Sequence, residues 1–425
     1  MPRAASSAAS SRASVVPPRI RMGEDMPAET AAGTRWLSIL GLGEEGVVGL
    51  PPLSRGLVAG AEIVFGGRRH LELAAPLIRG EARPWPSPFD VSGVLAERGR
   101  RVVVLASGDP MWHGVGATLL RRMPPAEALV VPAPSAFSLA AARLGWPMEG
   151  VVTLSLHGRP IELLRPHLHP GARILALTSD ALGPAAIAEL LRDGFADTRL
   201  TVLEALGGKH ERIREGIGPN IAPLNLVALE VVASPGARIL PRAPGLPDHF
   251  FEHDGQLTKR EIRAVTLSAL APRRGALLWD IGAGAGSIGI EWMLADPSLR
   301  AIAIEARADR AARLRRNALA LGVPGLSVVE DEAPAALAGL EPPDAVFLGG
   351  GAGDALDAAL AALKPGGRCV ANAVTLETEA LLLARRATLG GEMLRLAVSR
   401  AEPVGGLTGW RAAMPVTQWI WDKPA

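Results

Sequence analysis

The chain has 425 residues, a formal net charge of +2 and 21% charged residues. This length exceeds what one hydrophobic core usually organises, so we expect two domains of roughly 200 residues each. The small net charge gives no field that would attract nucleic acid or an anionic membrane surface. The pI near 9.1 reflects a slight excess of Lys and Arg in a chain without Tyr, not a basic patch.

Cysteine and histidine are sparse. Cys369 is the only cysteine, which excludes an internal disulfide or a Cys-rich metal site, and we interpret it as an inert core thiol. His249 and His253 stand four residues apart without a third ligand motif, and His167 and His169 read as loop residues, so no metal site is predicted. No apolar run reaches the roughly 18 residues that cross a bilayer. We therefore expect a cytoplasmic protein without membrane contact.

Residues 1–34 form a segment rich in Ala, Ser and Arg. That composition is typical of a transit peptide, but the acidic stretch GEDMPAE breaks the acid-poor pattern. We expect a disordered tail or an overlong start, with Met22 or Met26 as alternative initiators.

From Trp36 onward, short apolar runs alternate with longer helical segments, which is typical of an α/β protein. The first half contains six predicted strands: LSILGLG, AEIVFGG, RVVVLASGD, ALVVPAPS, RILALTS and TRLTVLEAL. A further stretch, LVALEVVASPGARIL, ends a first domain at residues 35–240. The proline-rich segment 241–248 predicts a linker to a second domain at residues 249–425.

The second domain begins with a predicted helix, TKREIRAVTLSAL. Predicted strands alternate with helical segments after it: ALLWDIGAG, AIAIEA, SVVED, DAVFLGG and RCVANAV. This order indicates an open, mainly parallel, doubly wound sheet. The last residues, MLRLAVSRAEPVGGLTGWRAAMPVTQWIWDK, read as two extended runs around a Gly-rich turn and predict an edge hairpin.

A glycine-rich turn follows the strand ALLW and opens the helix SIGIEWML. It contains Asp280, Gly282, Gly284 and Gly286, and glycines there permit a tight turn and close approach of a ligand to the backbone. The run from Gly284 to Gly289 also matches the dinucleotide fingerprint. The turn alone leaves a methyl donor, a nicotinamide cofactor and a structural turn open.

Acidic residues around the turn favour S-adenosylmethionine. The carboxylate of Asp280 suits the amino group of a methionine moiety but repels a pyrophosphate. Glu305, at the end of AIAIEA, suits two ribose hydroxyls in either interpretation. The acidic turn that contains Glu332 follows the next strand, where Rossmann-like methyltransferases contact adenine.

The second domain resembles the precorrin C15-methylating, C12-decarboxylating family. The resemblance lies in LPDHFFEHDGQLTKREIRAVTLSAL, WDIGAGAGSIGIE, EDEAPAAL, FLGGGAGD and NAVTLET, in this order. It implies a Rossmann-like class I methyltransferase fold. It also implies cofactor contacts from Thr258, Gly282, Ala283, Gly284, Ala285, Gly286, Glu305, Glu332 and Ala333. Where the family often has G-D-A this chain has Asp331-Glu332-Ala333, so the adenine contact stays open.

The first domain resembles the tetrapyrrole methylase superfamily, in the branch that methylates C5 of the precorrin ring. The resemblance lies in LGLGEEGVVGL, FGGRRHLEL, LASGDPMWHGVGATLLRRM and PAPSAFSLAAARLGWP. It implies the tetrapyrrole methylase fold and a cofactor cleft, with contacts from Gly43, Gly108, Asp109, Pro110 and Ser135. From residue types alone, Gly-Asp-Pro is an ordinary β-turn.

Together the resemblances imply an enzyme with one S-adenosylmethionine per domain that converts precorrin-6B to precorrin-8 in cobalamin biosynthesis. A substrate with many carboxylates needs cationic partners. The candidates for substrate binding are Arg68, Arg69, Lys259, Arg260, Arg263 and Asn372, and a solvated surface is the alternative for the charged ones.

No catalytic residue is assigned, because methylation of an electron-rich carbon needs mainly positioning. A non-catalytic S-adenosylmethionine or NAD sensor or scaffold, and a nicotinamide oxidoreductase, are the alternative functions. The sequence leaves homo-oligomer formation open.

Overall fold

A computed structural model describes residues 35–349, 353 and 355–425. The segment 1–34, predicted to be a tail or an overlong start, lies outside the described residues. The rest contains three main sheets and one separate hairpin, which together with the helices between strands make the α/β class predicted from the sequence.

The first sheet is entirely parallel, with the strand order β3-β2-β4-β1-β5. Its strands are β1 Leu37–Leu42, β2 Ile63–Gly66, β3 Glu81–Pro84, β4 Val102–Ser107 and β5 Ala128–Val131. Its helices are α1 Pro52–Gly60, α2 Arg68–Ala74, α3 Ser92–Leu95 and α4 Val115–Leu120. Alternate residues of β1 and β4 enter two apolar clusters on opposite faces of the sheet, which is why these strands read as continuous apolar runs.

The second sheet is mixed, with the order β6-β7-β10-β8-β9, and only β6 and β7 are parallel. Its strands are β6 Val151–Ser155, β7 Arg173–Leu177, β8 Arg199–Glu204, β9 Arg212–Glu215 and β10 Asn225–Glu230. Its helices are α5 Ala136–Leu144, which connects the first sheet to the second, and α6 Gly183–Leu191.

The third sheet has seven strands in the order β13-β12-β11-β14-β15-β19-β16. Its strands are β11 Leu277–Ile281, β12 Arg300–Ile304, β13 Ser327–Val329, β14 Ala345–Leu348, β15 Arg368–Ala373, β16 Glu392–Leu396 and β19 Val416–Asp422. The accompanying helices are α7 Arg260–Leu270, α8 Ser287–Ala295, α9 Ala308–Ala320, α10 Ala355–Ala362 and α11 Leu376–Leu389. The strands β11 to β15 are parallel, as the doubly wound prediction requires.

The predicted C-terminal edge hairpin is wrong in its placement. The Gly-rich turn joins β17 Ser399–Val404 to β18 Leu407–Ala412, which pair only with each other. The last strand, β19, inserts between β15 and β16 and is antiparallel to both. Trp419 of β19 is fully buried, so burying its large side chain favours an interior position over an edge.

The predicted linker at 241–248 is packed in its second half. The backbone N–H groups of Gly245 and Leu246 donate to the two carboxylate oxygens of Glu291, at 2.6 and 2.9 Å. Leu246 is buried in the core of the third sheet. These residues therefore belong structurally to the third sheet and do not form a free connection.

Candidate functional site: two cavities at the ends of parallel strands

The first cavity has a volume of about 630 Å³ and lies where β1, β4 and β5 end, facing the second sheet. This volume lies within the range of small-molecule sites, and the carboxyl ends of parallel strands are where α/β sheets usually bind ligands. The structure brings five of the sequence-predicted residues to its wall, namely Gly43, Arg69, Gly108, Asp109 and Ser135. Pro110 is buried behind the wall, and Arg68 is exposed away from it.

Gly108 joins the ends of three strands beside this cavity. Its N–H donates to the carbonyl of Leu42, and its carbonyl accepts from the N–H of Ala133, both at 3.2 Å. Its φ is +53°, and a Cβ atom there would lie 2.9 Å from backbone atoms of Pro134 and Ser135. Only glycine fits such a close approach with a positive φ. The turn thus brings the backbone of Gly108 to the cavity wall, with its N–H and carbonyl already paired.

Asp109 and Ser135 order the two loops on either side of this turn. Asp109 Oδ1 accepts a hydrogen bond from the N–H of Met111 at 2.8 Å, an ordinary Asx turn. Ser135 Oγ accepts from the N–H of Ser138 at 3.1 Å and so caps the N-terminus of α5. Both residues line the cavity in addition to these structural roles.

A polar cluster around Arg69 forms another part of the same wall. The guanidinium of Arg69 pairs with Glu44, and its Nη2 donates to Ser107 Oγ at 3.1 Å. The same Nη2 lies 3.0 Å from His70 Nε2, which is also 2.8 Å from Ser107 Oγ. A guanidinium only donates, so His70 Nε2 accepts and the ring carries its proton on Nδ1.

His70 is therefore neutral, although it directly follows two arginines in the sequence. Burial, aided by the adjacent charge of Arg69, lowers its pKa to about 4. Burial also lowers the pKa of Arg69, which stays a cation at neutral pH. The cavity wall thus presents one guanidinium, paired with Glu44, beside an uncharged imidazole.

The second cavity has a volume of about 410 Å³ and lies where β11, β14 and β15 end. The starts of α7 and α8 and the segment around β17 and β18 complete its wall. Eight sequence-predicted residues line it: Thr258, Lys259, Asp280, Gly282, Ala283, Gly284, Ala285 and Asn372. Most of the residues predicted from the glycine-rich turn thus meet in one place.

Every second residue of the glycine-rich turn is a glycine with a positive φ. Gly282, Gly284 and Gly286 have φ values of +69°, +58° and +78°. Gly286 lies behind the wall, where a Cβ atom would approach the side chain of Leu314 at 2.6 Å, so it serves packing rather than direct contact. At Gly284 the nearest atom to an added Cβ is 3.7 Å away, so the space beside it is open.

Asp280 is a buried carboxyl group on the cavity wall with one free oxygen. Its Oδ2 accepts from the N–H of Gly289 at 2.9 Å, whereas its buried Oδ1 has no protein partner. Burial raises the pKa of Asp280 to about 7, and the charge of Glu305 acts in the same direction. A buried carboxyl oxygen without a partner suits a cationic donor.

Glu305, Glu332 and Ala333 are not among the residues that line the cavity. Glu305 lies behind the glycine-rich turn, where Oε2 accepts from the N–H of Gly284 at 2.8 Å and Oε1 from that of Arg307 at 3.0 Å. Its observed role is to hold the turn. The ribose contact of Glu305 and the adenine contacts of Glu332 and Ala333 stay predictions.

Arg263 was predicted to bind substrate carboxylates, and the structure contradicts this. Its side chain is fully buried, with a 2.5 Å ion pair to Glu291 and a 3.2 Å ion pair to Asp248. Its guanidinium also donates to the carbonyls of Thr258 and Leu246. Arg263 follows Lys259 by four residues, the spacing of one helix face. A fully buried guanidinium needs ion pairs, however, and Arg263 makes them with Glu291 and Asp248 instead of with a ligand.

The remaining cationic candidates divide between wall and surface. Lys259 lines the cavity, whereas Arg260 is exposed and does not. Two further arginines that the sequence analysis missed also line it: Arg310, paired with Asp254 at 2.8 Å, and Arg400 of β17, paired with Glu261. Arg400 comes from a hairpin far along the chain, so no local motif marks it.

Asn372 on the cavity wall is held from behind by a buried amide network. Its Nδ2 donates to Thr266 Oγ1 at 3.0 Å, and its Oδ1 accepts from Gln418 Nε2 at 2.8 Å. Gln418 Nε2 also donates to Thr266 Oγ1 at 3.0 Å. The network thus holds the amide group of Asn372 in place between Thr266 and Gln418.

Comparison with known proteins shows which family this chain belongs to. A model described as tetrapyrrole (corrin/porphyrin) methylases matches residues 37–221, and one described as precorrin methyltransferase domain matches residues 249–423. A Sinorhizobium sp. protein named precorrin-6Y C(5,15)-methyltransferase (decarboxylating) is 59% identical, covering 93% of this chain and 98% of that protein. This chain belongs to the decarboxylating precorrin-6Y C(5,15)-methyltransferase family.

Other members of the family and a solved structure are similar to this chain. The protein of the same name from Mycobacterium tuberculosis strain H37Rv is 41% identical, covering 91% of this chain and 99% of that protein. The crystal structure of the C-terminal domain of precorrin-6Y C5,15-methyltransferase from Rhodobacter capsulatus is 49% identical, with a TM-score of 0.42. It covers 43% of this chain and 100% of that chain.

Membership in a methyltransferase family makes this chain an enzyme and S-adenosylmethionine its methyl donor. The residues of the second cavity fit that donor. Asp280 Oδ1 offers a buried acceptor for an amino group, and the turn from Gly282 to Gly284 leaves backbone accessible. The nicotinamide interpretation needs a pyrophosphate beside the same carboxyl group, which its charge opposes.

The lone cysteine lies away from both cavities. Burial of Cys369 raises the pKa of its thiol to about 12, so the thiolate needed for nucleophilic chemistry is not formed at neutral pH. In residues 35–349, 353 and 355–425, no cluster of three or more His, Cys, Asp or Glu side chains is arranged to hold a metal ion. Within the same residues, no helix is long and apolar enough to span a membrane.

Proposed function

We propose that this enzyme methylates precorrin-6B at C5 and C15 and removes the carboxyl group of the C12 acetate, giving precorrin-8 in cobalamin biosynthesis. The observation that carries the proposal is the presence of two separate cavities, each beside a glycine turn at the carboxyl ends of parallel strands. The first is lined by residues between Leu42 and Leu226, and the second by residues between Gly255 and Val416.

The proposed division of labour assigns C5 methylation to residues 35–240 and C15 methylation with decarboxylation to residues 249–425. The family models that match each half support this division. Each half would bind one S-adenosylmethionine. In the first cavity, Gly43, Gly108, Asp109 and Ser135 are the proposed contacts, with Pro110 supporting the turn.

In the second cavity, Asp280 would accept the amino group of the donor, and the backbone from Gly282 to Ala285 would approach it closely. Gly286 would act by shaping the turn, and Thr258 would complete the contact. Glu305, Glu332 and Ala333 are retained as proposed ribose and adenine contacts. Glu305 would have to accept the ribose hydroxyls while also holding the turn.

When bound, S-adenosylmethionine would supply a sulfonium methyl group to an electron-rich meso carbon of the ring. The protein contributes position and exclusion of water. Arg69 beside the first cavity and Lys259 beside the second are the proposed partners of substrate carboxylates. Asn372, oriented by Thr266 and Gln418, would donate to or accept from the ring periphery.

Incubation of the purified chain with metal-free precorrin-6B and methyl-labelled donor tests the proposed reaction. We expect two labelled methyl groups per product molecule and one carbon dioxide released. One methyl group, or two without carbon dioxide, would reject the assignment of both activities to this chain. Buffer without protein is the control for spontaneous decarboxylation.

Calorimetric titration with S-adenosylmethionine tests the number of donor sites. We expect two equivalents per chain, one for each cavity. One equivalent would reject the two-site proposal, and a parallel titration with NAD would detect a nicotinamide site.

A further inference from the structure

Arg400 is the cation that the hairpin β17–β18 contributes to the second cavity. It lines the cavity together with Lys259 and Glu261 from the start of α7. Its side chain is 43% exposed, and its Nη2 contacts the carboxylate of Glu261, which is 46% exposed. An ion pair this exposed contributes little to stability, so stabilising the fold is a weak reason for it.

The position of Arg400 within its own hairpin also has a local cost. Arg400 on β17 pairs directly with Arg411 on β18. Like charges directly opposite each other in an antiparallel pair are destabilising. Arg411 is turned to another partner, Glu402 at 3.1 Å, and does not line the cavity. Within its own hairpin Arg400 thus lies opposite a cation, and the carboxylate that it pairs with, Glu261, lies on the cavity wall, which points to a use in the cavity.

A guanidinium on a cavity wall is suited to a carboxylate ligand. Its two parallel N–H groups match both oxygens of a carboxylate, and charged hydrogen bonds of this kind are the strong ones. Glu261 occupies part of this guanidinium with a carboxylate supplied by the protein itself. A polycarboxylate ligand can exchange with Glu261 without leaving either charge buried, because both groups are partly exposed.

We propose that Arg400 is a substrate-binding residue that takes a peripheral carboxylate of the tetrapyrrole in exchange for Glu261. This inference rests on the proposed function and extends it to a residue outside the motifs. The carboxylate held there is one that the product retains. A guanidinium stabilises the ionised carboxylate, so it would oppose loss of that same group as carbon dioxide.

Steady-state assays on the full chain test this proposal with four variants: Arg400→Ala, Arg400→Lys, Arg411→Ala and Glu261→Gln. For Arg400→Ala we expect the KM for precorrin-6B in carbon dioxide release to rise about tenfold to a hundredfold, with kcat nearly unchanged. Arg400→Lys keeps the charge but loses the two parallel N–H groups of the guanidinium, so its KM should lie between those of wild type and Arg400→Ala. Glu261→Gln removes the competing carboxylate and should lower KM.

Arg411→Ala is the matched control, because it removes an arginine from the same hairpin without removing one from the cavity. Its KM should equal that of wild type. An unchanged KM in Arg400→Ala, or an equal rise in Arg411→Ala, overturns the proposal. The ratio of carbon dioxide to C15 methyl groups should stay at the wild-type value in Arg400→Ala. A selective loss of carbon dioxide release would mean that Arg400 holds the departing carboxylate, which also overturns it.

Equilibrium titration with precorrin-6B, followed by its absorbance, separates this proposal from the proposed function. The first cavity is the same in wild type and Arg400→Ala, so weaker binding by the variant reports on the second cavity. A wild-type chain that binds precorrin-6B without turnover rejects the proposed function, and the difference between the two titrations still decides the role of Arg400. Equal binding by both chains rejects that role, and absence of binding rejects both proposals. Thermal unfolding and S-adenosylmethionine titration check that the variants stay folded.

Discussion

The N–H of Gly289 in α8 donates to Asp280 Oδ2 at 2.9 Å, and this hydrogen bond leaves Asp280 Oδ1 without a protein partner on the cavity wall. One oxygen of a buried carboxyl group is thus anchored while the other is available. The group has a pKa raised to about 7, so near neutrality it is divided between the protonated and ionised forms.

S-adenosylmethionine binding at the second cavity should therefore depend on pH. The cationic amino group of the donor favours ionised Asp280, so binding below pH 7 must release a proton. We expect affinity to rise by up to tenfold per pH unit below about pH 7 and to level off above it. Calorimetry in buffers of different ionisation enthalpy measures the released proton. Equal affinity at pH 6 and pH 8 would contradict the assignment.

Asp280→Asn should weaken that binding and remove its pH dependence, while the first cavity keeps its donor site. The same substitution should stabilise the donor-free protein at high pH. The folded-state pKa lies above the unfolded value of 3.8, so wild type loses stability as pH rises through about 7. Urea unfolding at pH 8 should thus show a higher free energy of unfolding for Asp280→Asn, whereas near pH 4 most of this advantage should be absent.

Gly284→Val should abolish C15 methylation and carbon dioxide release, and should leave C5 methylation intact when the C15-methylated product is supplied as substrate. Valine at φ +58° is strained by roughly 1–2 kcal/mol, and its branched side chain would enter the open space beside the turn. Gly275→Val is a matched control, since Gly275 has φ +80° and no atom within 4 Å of an added Cβ, yet does not line the cavity. Loss of both methylations in a folded Gly284→Val chain, with the C15-methylated product supplied for the C5 assay, would count against independent sites.

Gly108→Ala should abolish C5 methylation and donor binding at the first cavity. A Cβ atom there meets backbone of Pro134 and Ser135 at 2.9 Å, so the ends of β4 and β5 must separate. We expect at least a hundredfold loss of C5 activity, since small displacements near a reacting centre are costly. Gly99→Ala, with φ +93° and no atom within 4 Å, should be nearly normal. Equal losses in both variants would attribute the effect to backbone strain alone.

Truncation at two nearby positions should show how much the packed part of the linker stabilises the second domain. A fragment of residues 242–425 should fold, bind S-adenosylmethionine and release carbon dioxide. A shorter fragment of residues 249–425 lacks Leu246, which packs in the core, and Asp248, which pairs with Arg263. It should be less stable by about 3 kcal/mol or more, measured by urea unfolding. Equal stability would show that these contacts contribute little.

A fragment of residues 35–240 should methylate C5 of the C15-methylated product.

Local patterns in the sequence predicted the strands that are buried on both faces, but not the exposed ones. Strands β1, β4, β11 and β15 read as apolar runs bounded by glycine or charge. In contrast, β3 and β9 contain EARP and RIRE and are mostly exposed, so they carry no apolar signal. Their pairing comes from neighbouring strands, which a single-sequence pattern does not contain.

The same distinction applies to the candidate site. Asp280 and the glycines that follow it were predictable, because strand, acid and turn are adjacent in the chain. Arg263 was not, because its partner Glu291 lies 28 residues away. A single acid inside the apolar helix SIGIEWML was the available signal, since a charge there needs a buried counter-ion. Arg400 reaches the cavity only through the tertiary position of its hairpin.

The separation of the two cavities along the chain has a genetic consequence. Each wall is drawn from its own half, residues 42–226 for one and 255–416 for the other. Two defective alleles, one altered at Gly108 and the other at Gly284, should therefore complement each other when expressed in the same cell. Neither polypeptide would complete the pathway alone, yet the intermediate released by one could be finished by the other. Growth that depends on cobalamin would then return without any repaired chain.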